Sequence, residues 1–308
     1  GEYHSSSISF DVLENSNLLE FFLEKLGDDI DGEAAGDRSG YSVSLSSDGT
    51  IVAIGAPDND DRSGHVRVFK YNGTSWNQMG NDINGEEDGE NSGNSVSLSG
   101  DGTTVAIEAP RNYGSKGRVK VFKYIVDKWI KMGNYINESN STVASKESSS
   151  TVSLSSDGTI VAIGDYGFGN SKGRVRVYQY IDDWNKIGND IEGKIRLTIK
   201  SGWSVSLSGD GTIVAIGTPH YSESYNVNGS GHVRVFKYIV DEWIQMGVDI
   251  DGEAGGDYSG WSVSLSSDGT TVAIGAINNG GNGSYSGHVR GFQWNDSSWN
   301  QMGDDIDG

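Results

Sequence analysis

Residues 42–57 read SVSLSSDGTIVAIGAP, and the chain repeats this stretch with small changes. The copies follow one another with a period of about 55 residues, which is typical of modular repeat architectures. Such a period fixes the fold class before any single residue is assigned a chemical role. The five copies begin at Ser42, Ser95, Thr151, Ser204 and Ser262.

The quoted stretch predicts two antiparallel strands joined by a tight turn. Residues 42–46 alternate small polar and apolar side chains, which is the period of a strand with one buried face. The dipeptide Asp48-Gly49 favours a type I′ hairpin turn, in which both central residues have positive φ. Residues 51–54 are all apolar, as in a strand buried on both faces, and Pro57 ends that strand because proline has no N–H to donate.

Two further strands complete the repeat. Residues 65–71 alternate valines with long polar side chains, Asn72-Gly73 turns the chain, and residues 76–79 form a short outer strand. Four-stranded units of this period, here called strands a to d, are typical of propeller blades. We therefore predict an all-β fold, a β-propeller of four-stranded antiparallel blades in a single domain spanning residues 1–308. The blades are expected near residues 40–80, 93–133, 149–188, 202–247 and 260–303, with residues 1–32 as an N-terminal half-blade, closing segment or extension.

Two local predictions accompany this fold. A tryptophan opens strand d of every repeat, and we expect these five residues to pack between neighbouring blades. Residues 21–26 fit either a strand like d or a short helix with a capping-box glutamate at Glu20 and a terminating glycine at Gly27. The five tryptophans are Trp76, Trp129, Trp184, Trp243 and Trp299.

Composition excludes several classes of function. The net charge of −20 argues against binding to a nucleic-acid backbone. The sequence has no apolar run of about 18 residues, so no membrane-spanning helix is expected. Cysteine is absent, which excludes disulfides and thiolate metal sites and leaves both a secreted and a cytosolic location open.

The repeats resemble the FG-GAP family, which includes the blades of the integrin α-chain propeller. The resemblance is carried by an aromatic-Ser-Val-Ser-Leu strand, a Gly-Ala-Pro ending and a following Gly-His-Val-Arg-Val-Phe, and it covers nearly the whole chain from about Gly27. Repeats of the integrin type often carry a calcium loop between strands a and b. Here that connection is too short to surround a cation, so the resemblance does not extend a metal role to Asp48 and its counterparts, which are turn residues.

The connections from strand d to the next strand a suggest calcium instead. They place carboxylate and amide oxygens at alternate positions around a glycine, and calcium takes six to eight oxygen ligands. Solvated polar turns are the alternative explanation, because two of the connections lack this pattern. The candidate metal ligands are Asp29, Asp31, Glu33, Asp37, Asp82, Asn84, Glu86, Asp249, Asp251, Glu253 and Asp257.

The end of the blades that carries the b–c and d–a connections, here called the loop face, is the expected binding surface. Its loops differ between repeats, and variable loops on a rigid scaffold commonly carry binding residues. His65, His232 and His288 share one repeat position with two arginines, which favours a structural hydrogen-bonding role. The candidate ligand-binding residues are Asp58, Asp60, Asn112, Tyr113, Tyr166, Phe168, His220, Tyr221 and Tyr285.

These observations favour a non-enzymatic module, extracellular or on a cell surface, that binds protein or glycan through the loop face. Self-association, or membership of a larger chain, would satisfy open strand edges. Two alternatives remain at this point: a structural unit of a filament, coat or wall, and a glycan-active enzyme that uses carboxylates near the central channel. No catalytic motif is recognisable in the sequence, so we predict that the protein is not an enzyme.

Overall fold

The computed structural model describes residues 25–110, 117–137, 150–194, 199–221 and 229–308. Within these ranges the chain forms five antiparallel sheets, one for each repeat, which confirms the predicted all-β propeller architecture. Blade I contains β1 (Ser42–Leu45), β2 (Ile51–Ala56), the short turn α1 (Asn59–Arg62), β3 (His65–Tyr71), β4 (Trp76–Gln78) and β5 (Ile83–Asn84). Blade II contains β6 (Ser95–Leu98), β7 (Thr104–Ala109), β8 (Arg118–Ile125), β9 (Lys128–Lys131) and β10 (Ile136–Asn137).

The other three blades follow the same order. Blade III contains β11 (Ser150–Leu154), β12 (Ile160–Asp165), the short turn α2 (Phe168–Ser171), β13 (Arg174–Tyr180) and β14 (Trp184–Glu192). Blade IV contains β15 (Ser204–Leu207), β16 (Ile213–Thr218), β17 (His232–Ile239), β18 (Glu242–Gln245) and β19 (Ile250–Asp251). Blade V contains β20 (Ser259–Leu265), β21 (Thr271–Ala276), β22 (His288–Trp294), β23 (Trp299–Gln301) and β24 (Ile306–Asp307).

Strand d extends further than the sequence indicated. Residues 82–84 were assigned to the connection between blades, but Ile83 pairs with Val66 of strand c and Asn84 pairs with His65. A glycine with positive φ, Gly80 in blade I (φ 70°), interrupts the strand and divides it into two short segments. In blade III the strand runs on as the single element β14, with a shift of register. Ile83 and Asn84 therefore belong to a pleated strand rather than to a loop, and Asp82 directly precedes this strand.

The a–b turn also differs from the predicted type. In blade I the Gly49 N–H donates to the Ser46 carbonyl at 2.9 Å, so the central residues are Ser47 and Asp48. Only Gly49 has a positive φ (71°), as in a four-residue hairpin loop that ends in a left-handed glycine. Type I′ geometry instead occurs at the c–d turns of blades II and IV, where both loop residues have positive φ, at Val126-Asp127 and Val240-Asp241.

Each a–b turn is held by its aspartate. The Asp48 carboxylate accepts hydrogen bonds from the Ser46 hydroxyl and from the N–H and hydroxyl of Thr50. These bonds lower the pKa of Asp48 to about 2. The pKa of the aspartate is also lowered at the other four turns: Asp101, Asp157, Asp210 and Asp268. At the first three of these, partial burial opposes the effect of the hydrogen bonds.

We expect the free energy of unfolding to decrease as the pH falls from about 4 to about 2. The folded-state pKa of Asp48 lies below its ordinary value, so the stabilisation is present above the unfolded pKa and is lost as the pH falls through the folded pKa. Urea denaturation of the wild type and of Asp48→Asn should show a difference at pH 7 that narrows towards zero near pH 2. A difference that stays constant over this range would contradict this role of the turn.

The core lies between neighbouring blades rather than within one blade. Between blades I and II, for example, Val66 and Val68 of β3 pack with Val96, Leu98 and Val105 of the next sheet. The predicted packing of the strand-d tryptophans is confirmed, since each indole N–H donates to a carbonyl of the preceding unit. The bonds are Trp76 to Leu26 (2.8 Å), Trp129 to Met79 (2.7 Å), Trp184 to Met132 (2.9 Å), Trp243 to Ile187 (3.2 Å) and Trp299 to Met246 (3.0 Å).

The first and last blades each keep one face uncovered by the described residues. Leu45 of blade I is 60% exposed, whereas its counterpart Leu98 in blade II is 6% exposed. Ile306 of blade V is 70% exposed, whereas its counterpart Ile83 in blade I is 5% exposed. Blades I and V therefore do not cover one another in the described part of the chain.

Two sequence-based expectations concern other parts of the chain. Within the described ranges, the structure has no helix that is long and apolar enough to cross a membrane. The alternative of a strand or a short helix at residues 21–26 falls mostly on residues 21–24, which lie outside the described residues.

Candidate functional site

Five aromatic rings from three consecutive blades meet on the loop face, and we call them the aromatic cluster. The ring of Trp203 lies at its centre, 4.8 Å from the centroid of Tyr166 and 4.8 Å from that of Trp261. His220 lies 5.4 Å from Trp203 and 5.2 Å from Tyr258. All five side chains are partly exposed. They form a half-open apolar surface with one titratable imidazole.

The strand ends position this cluster. Tyr166 follows strand b of blade III, while Trp203 directly precedes strand a of blade IV. Trp261 lies in blade V where β20 shifts register against β21. Tyr258 adopts a left-handed backbone conformation (φ 57°), as do Arg38, Asn91 and Lys200 at the same repeat position, so this conformation belongs to the turn before strand a.

A lysine lies beside two of these rings. The Lys200 ammonium lies 5.3 Å from the centroid of Trp203 and 5.6 Å from that of Tyr166. Cations near an aromatic face are attracted by the ring quadrupole. In a chain of net charge −20, this lysine gives the cluster a local positive charge.

The other predicted aromatic ligand residues are placed differently. Tyr221 is buried and its ring lies 4.2 Å from that of His232, so it is a packing residue. The Arg174 guanidinium lies 3.8 Å from the ring of Phe168. Tyr285 is exposed on the loop after β21, outside the aromatic cluster.

The remaining predicted ligand residues lie far along the chain from the cluster. Asp58 forms an ion pair with Arg38 (3.1 Å) and accepts a hydrogen bond from Asn91, so it holds the loop of blade I together. Asp60 belongs to α1, where its positive φ (47°) departs from helical geometry. Asn112 and Tyr113 lie outside the described residues.

Among the described residues, acidic side chains and histidines form three clusters that could hold a metal ion. In each cluster three ligand atoms lie within 4.8 Å of one another. Burial lowers the pKa of His65 and of His232 and outweighs the opposing carboxylates, so both imidazoles are neutral at pH 7. The members are Glu33, His65 and Asp82; His232, Asp249 and Asp251; and Glu253, His288 and Asp305.

Of the predicted metal ligands, Glu33, Asp82, Asp249, Asp251 and Glu253 thus enter these clusters, and six others do not. Asp37 accepts hydrogen bonds from Ala34 and Asn59, and Asp257 accepts the equivalent bonds from Ala254 and Asn279. These carboxylates shape their own loops. Asp29 forms an ion pair with Lys25, and the backbone carbonyl of Asp31 accepts a hydrogen bond from Arg67. Asn84 of β5 pairs with β3, and the Glu86 carboxylate accepts a hydrogen bond from the Tyr135 hydroxyl.

Blade III contains a further pair of carboxylates with opposite shifts. Burial raises the pKa of Asp165, against the attraction of Arg174 and Arg176. The pKa of Asp190 is lowered, because hydrogen bonds from Lys186 and Arg174 outweigh its partial burial. Arg174 contacts both carboxylates, at 3.3 Å and 2.7 Å. The pair is therefore an ion-pair network that anchors strand c.

Sequence reasoning missed Trp203, Trp261 and Tyr258, and it interpreted the repeated histidines as structural alone. The two tryptophans occupy the aromatic position of the aromatic-Ser-Val-Ser-Leu motif, which was treated as scaffold. The useful signal was their position next to the variable loops. For the histidines, the useful signal was that an acidic residue recurs at a second fixed position of the same repeats, as Glu33 does with His65 and Glu253 with His288.

Comparison with known proteins places the chain among propellers. No protein-family model matches the sequence, and no curated protein matches it. Among solved structures, TolB from Acinetobacter baumannii has 13% identity and a TM-score of 0.52 over 87% of this chain. A protein provisionally assigned as a 6-phosphogluconolactonase from Bacteroides uniformis has 15% identity and a TM-score of 0.59 over 87% of this chain and 72% of its own. The periplasmic gluconolactonase PpgL of Pseudomonas aeruginosa has 15% identity and a TM-score of 0.58, over 85% of this chain and 70% of its own.

These findings correct three predictions. The FG-GAP resemblance is wrong as a family assignment, since no family model matches and the similar structures are TolB and gluconolactonase propellers. The predictions of a non-enzymatic adhesion module and of no enzymatic activity are overturned as well, because two of the similar structures bear the names of enzymes. Identities near 15% show a shared fold alone, and this chain spans only 54% of the TolB structure.

Proposed function

We propose that this protein is a hydrolase that acts on a sugar-derived ring, such as a lactone, bound at the aromatic cluster of the loop face. The observation that carries this proposal is the convergence of Tyr166, Trp203, Trp261, His220 and Tyr258 from three blades. Ligand sites are typically concave and largely aromatic, with a few polar groups that fix orientation.

The chemistry of the cluster suits a carbohydrate. The C–H faces of a sugar ring are apolar enough to stack on indole and phenol rings, while its hydroxyl groups remain at the polar rim. Lys200 beside the rings favours a substrate that carries a negative charge, such as a phosphate or a carboxylate. One of the similar propellers is assigned as acting on a phosphorylated gluconolactone, which supports this substrate class.

We assign proton transfer to His220. Histidine titrates near neutral pH and is the most common general base in enzymes. In lactone hydrolysis, the imidazole would take a proton from water as the water oxygen attacks the carbonyl carbon. The ring C–O bond then breaks, and the ring oxygen takes up the proton and leaves as a hydroxyl group.

The test is lactone hydrolysis by the whole chain, followed as proton release above the buffer rate with glucono-1,5-lactone as the probe. We expect Trp203→Ala to raise KM about tenfold with a smaller effect on kcat, because it removes ring binding common to ground and transition states. His220→Gln should lower kcat by about 10² or more. Tyr285→Ala, a tyrosine on the loop face outside the cluster, should leave both constants unchanged.

Melting temperatures of all variants show whether a loss reflects the site or the fold. No turnover by the wild type with this lactone, with its 6-phosphate or with p-nitrophenyl glycosides would refute the proposal. Turnover that survives both Trp203→Ala and His220→Gln would place the active site elsewhere.

Cellular location and metal content are the remaining points. We propose a location outside the cytoplasm, supported by the periplasmic gluconolactonase among the similar structures. The predicted calcium is not part of this proposal, because each acidic cluster contains a histidine nitrogen and calcium prefers oxygen ligands alone.

A further inference from the structure

Three repeat positions meet at the junctions of blades I, II, IV and V, and their residues differ between blades; in blade III the first of these positions lies outside the described residues. One position lies in the connection before the blade, one is the first residue of strand c, and one directly precedes the apolar residue in the second half of strand d. In blade I these are Glu33, His65 and Asp82, and in blade V they are Glu253, His288 and Asp305. We call each such set a junction triad.

The triads of the middle blades contain their own permanent cation. In blade II, Arg118 takes the place of the histidine and lies 3.6 Å from Glu86. In blade III, Arg174 takes this place and lies 2.7 Å from Asp190. In blade IV the histidine is retained as His232, but Lys194 replaces the glutamate and its ammonium lies 2.6 Å from Asp249.

The triads of blades I and V have two carboxylates and a histidine instead. The Nδ1 atom of His65 lies 3.7 Å from Oε2 of Glu33. Nδ1 of His288 lies 3.8 Å from Oε2 of Glu253 and 3.3 Å from Oδ2 of Asp305. In both triads the three ligand atoms lie within 4.8 Å of one another, although the triads lie at opposite ends of the array of blades.

Nearby groups orient these ligands without occupying the atoms that face each other. Arg290 contacts Oε1 of Glu253 at 3.6 Å, and Gln301 donates to Oδ1 of Asp305 at 2.7 Å. Oε2 and Oδ2 are thus the oxygens directed towards the histidine. Outer contacts of this kind fix ligand orientation in metal sites.

The histidine of blade V provides an independent observation. The His288 side chain is 1% exposed, and its Nδ1 has no hydrogen-bond partner in the described part of the chain. A buried polar nitrogen without a partner costs free energy, so such a group calls for a ligand. Nδ1 of His288 lies 3.3 Å from Oδ2 of Asp305 and 3.8 Å from Oε2 of Glu253 but makes no hydrogen bond of good geometry to either, whereas a cation between the three atoms would bind them all.

We propose that the junction triads of blades I and V each bind one divalent transition-metal ion, through a histidine nitrogen and two carboxylate oxygens. Imidazole together with carboxylates suits zinc and its neighbours in the first transition row, whereas calcium takes oxygens only. Arg67 and Arg290 already pair with Glu33 (3.8 Å) and Glu253 (3.6 Å), so the metal would add positive charge beside the second carboxylate of each triad, Asp82 or Asp305.

The chain itself indicates the best test variants. Glu253→Lys and Glu33→Lys copy the natural arrangement of blade IV, in which Lys194 pairs with Asp249, so the fold should tolerate them. Glu87→Lys makes the same change of charge at an exposed position outside the triads and is the matched control. Chelator-treated protein would be titrated with Zn²⁺ by calorimetry, and bound metal counted after dialysis.

We expect two zinc ions per chain for the wild type and Glu87→Lys, one for each triad variant and none for the double variant. Zinc should raise the melting temperature of the wild type by several degrees and leave that of the double variant unchanged. Equal zinc stoichiometry in all variants would overturn the proposal, because it would indicate adventitious surface binding. Binding of calcium but not zinc, or of neither ion, would overturn it equally. Lactonase activity does not enter this readout, so the test is independent of the proposed function.

Discussion

Glu90→Gln is expected to lower the free energy of unfolding by about 3–5 kcal/mol, because it leaves buried positive charge without its counterion. The Glu90 and Lys120 side chains are both fully buried, and their charged atoms lie 2.7 Å apart. Arg118 donates to the same carboxylate oxygen at 3.0 Å. The backbone N–H of Glu86 donates to the other oxygen at 2.6 Å.

The protonation state of Glu90 supports this expectation. Burial by itself raises its pKa, but the hydrogen bonds from Arg118 and Lys120 outweigh burial and lower the pKa below its usual range. Glu90 is therefore ionised in the folded protein at neutral pH. The neutral amide of glutamine keeps the shape of the side chain and removes the charge, so the effect reports on the ion pair rather than on a cavity.

Urea denaturation at pH 7 measures the change. Lys120→Met should cost less than Glu90→Gln, because Arg118 still pairs with the carboxylate. Lys25→Met breaks an exposed pair with Asp29 and should leave the free energy of unfolding almost unchanged, because solvent screens exposed ion pairs. If Glu90→Gln were as mild as this control, the buried pair would have no stabilising role.

Gly217→Ala is expected to lower the free energy of unfolding by about 3 kcal/mol, at the upper end of the range for overpacked sites. A Cβ atom at residue 217 would lie 2.1 Å from the carbonyl oxygen of Gly260 in the next blade. That oxygen accepts a hydrogen bond from the Ser204 hydroxyl, so neither backbone can move without loss of the contact between blades IV and V.

Gly275 provides a matched control at the same repeat position of blade V. Among the described residues, its Cβ would approach closely only the side-chain oxygen of Ser262, at 2.4 Å, which can rotate away. Gly275→Ala should therefore cost less than about 1 kcal/mol. Similar losses in the two variants would show that the close approach of adjacent backbones does not determine the stability of the blades.

The repeat pattern predicted most of the fold because each blade is defined by local signals. Alternation, turn residues and apolar runs recur within about 15 residues, so strands a to c were placed close to their observed bounds. The second half of strand d was missed, because residues 82–84 follow a left-handed glycine and resemble a loop in sequence. The Asp-Gly turn was assigned to the wrong type, since the same dipeptide fits two hairpin geometries that differ only in φ.

The candidate sites were predictable only in part. Tyr166 and His220 were named from the variable loops, but their contact with Trp203 joins residues about 17 to 37 positions apart in different connections. Glu253 was named as a metal ligand, whereas its partners His288 and Asp305 follow some 35 and 52 residues later. Residues so far apart along the chain come into contact only when one blade packs against the next.

The sequence by itself determined the all-β class, the number of repeats and the packing role of the tryptophans, because these depend on periodicity within one blade. Only the tertiary structure decided which acidic residues meet histidines and which meet cations, and which aromatic residues converge on the loop face. The physical reason is that both kinds of site lie between blades. A repeat therefore contributes only part of each site, and contacts such as Arg118 with Glu86 and Lys194 with Asp249 form only in the folded chain.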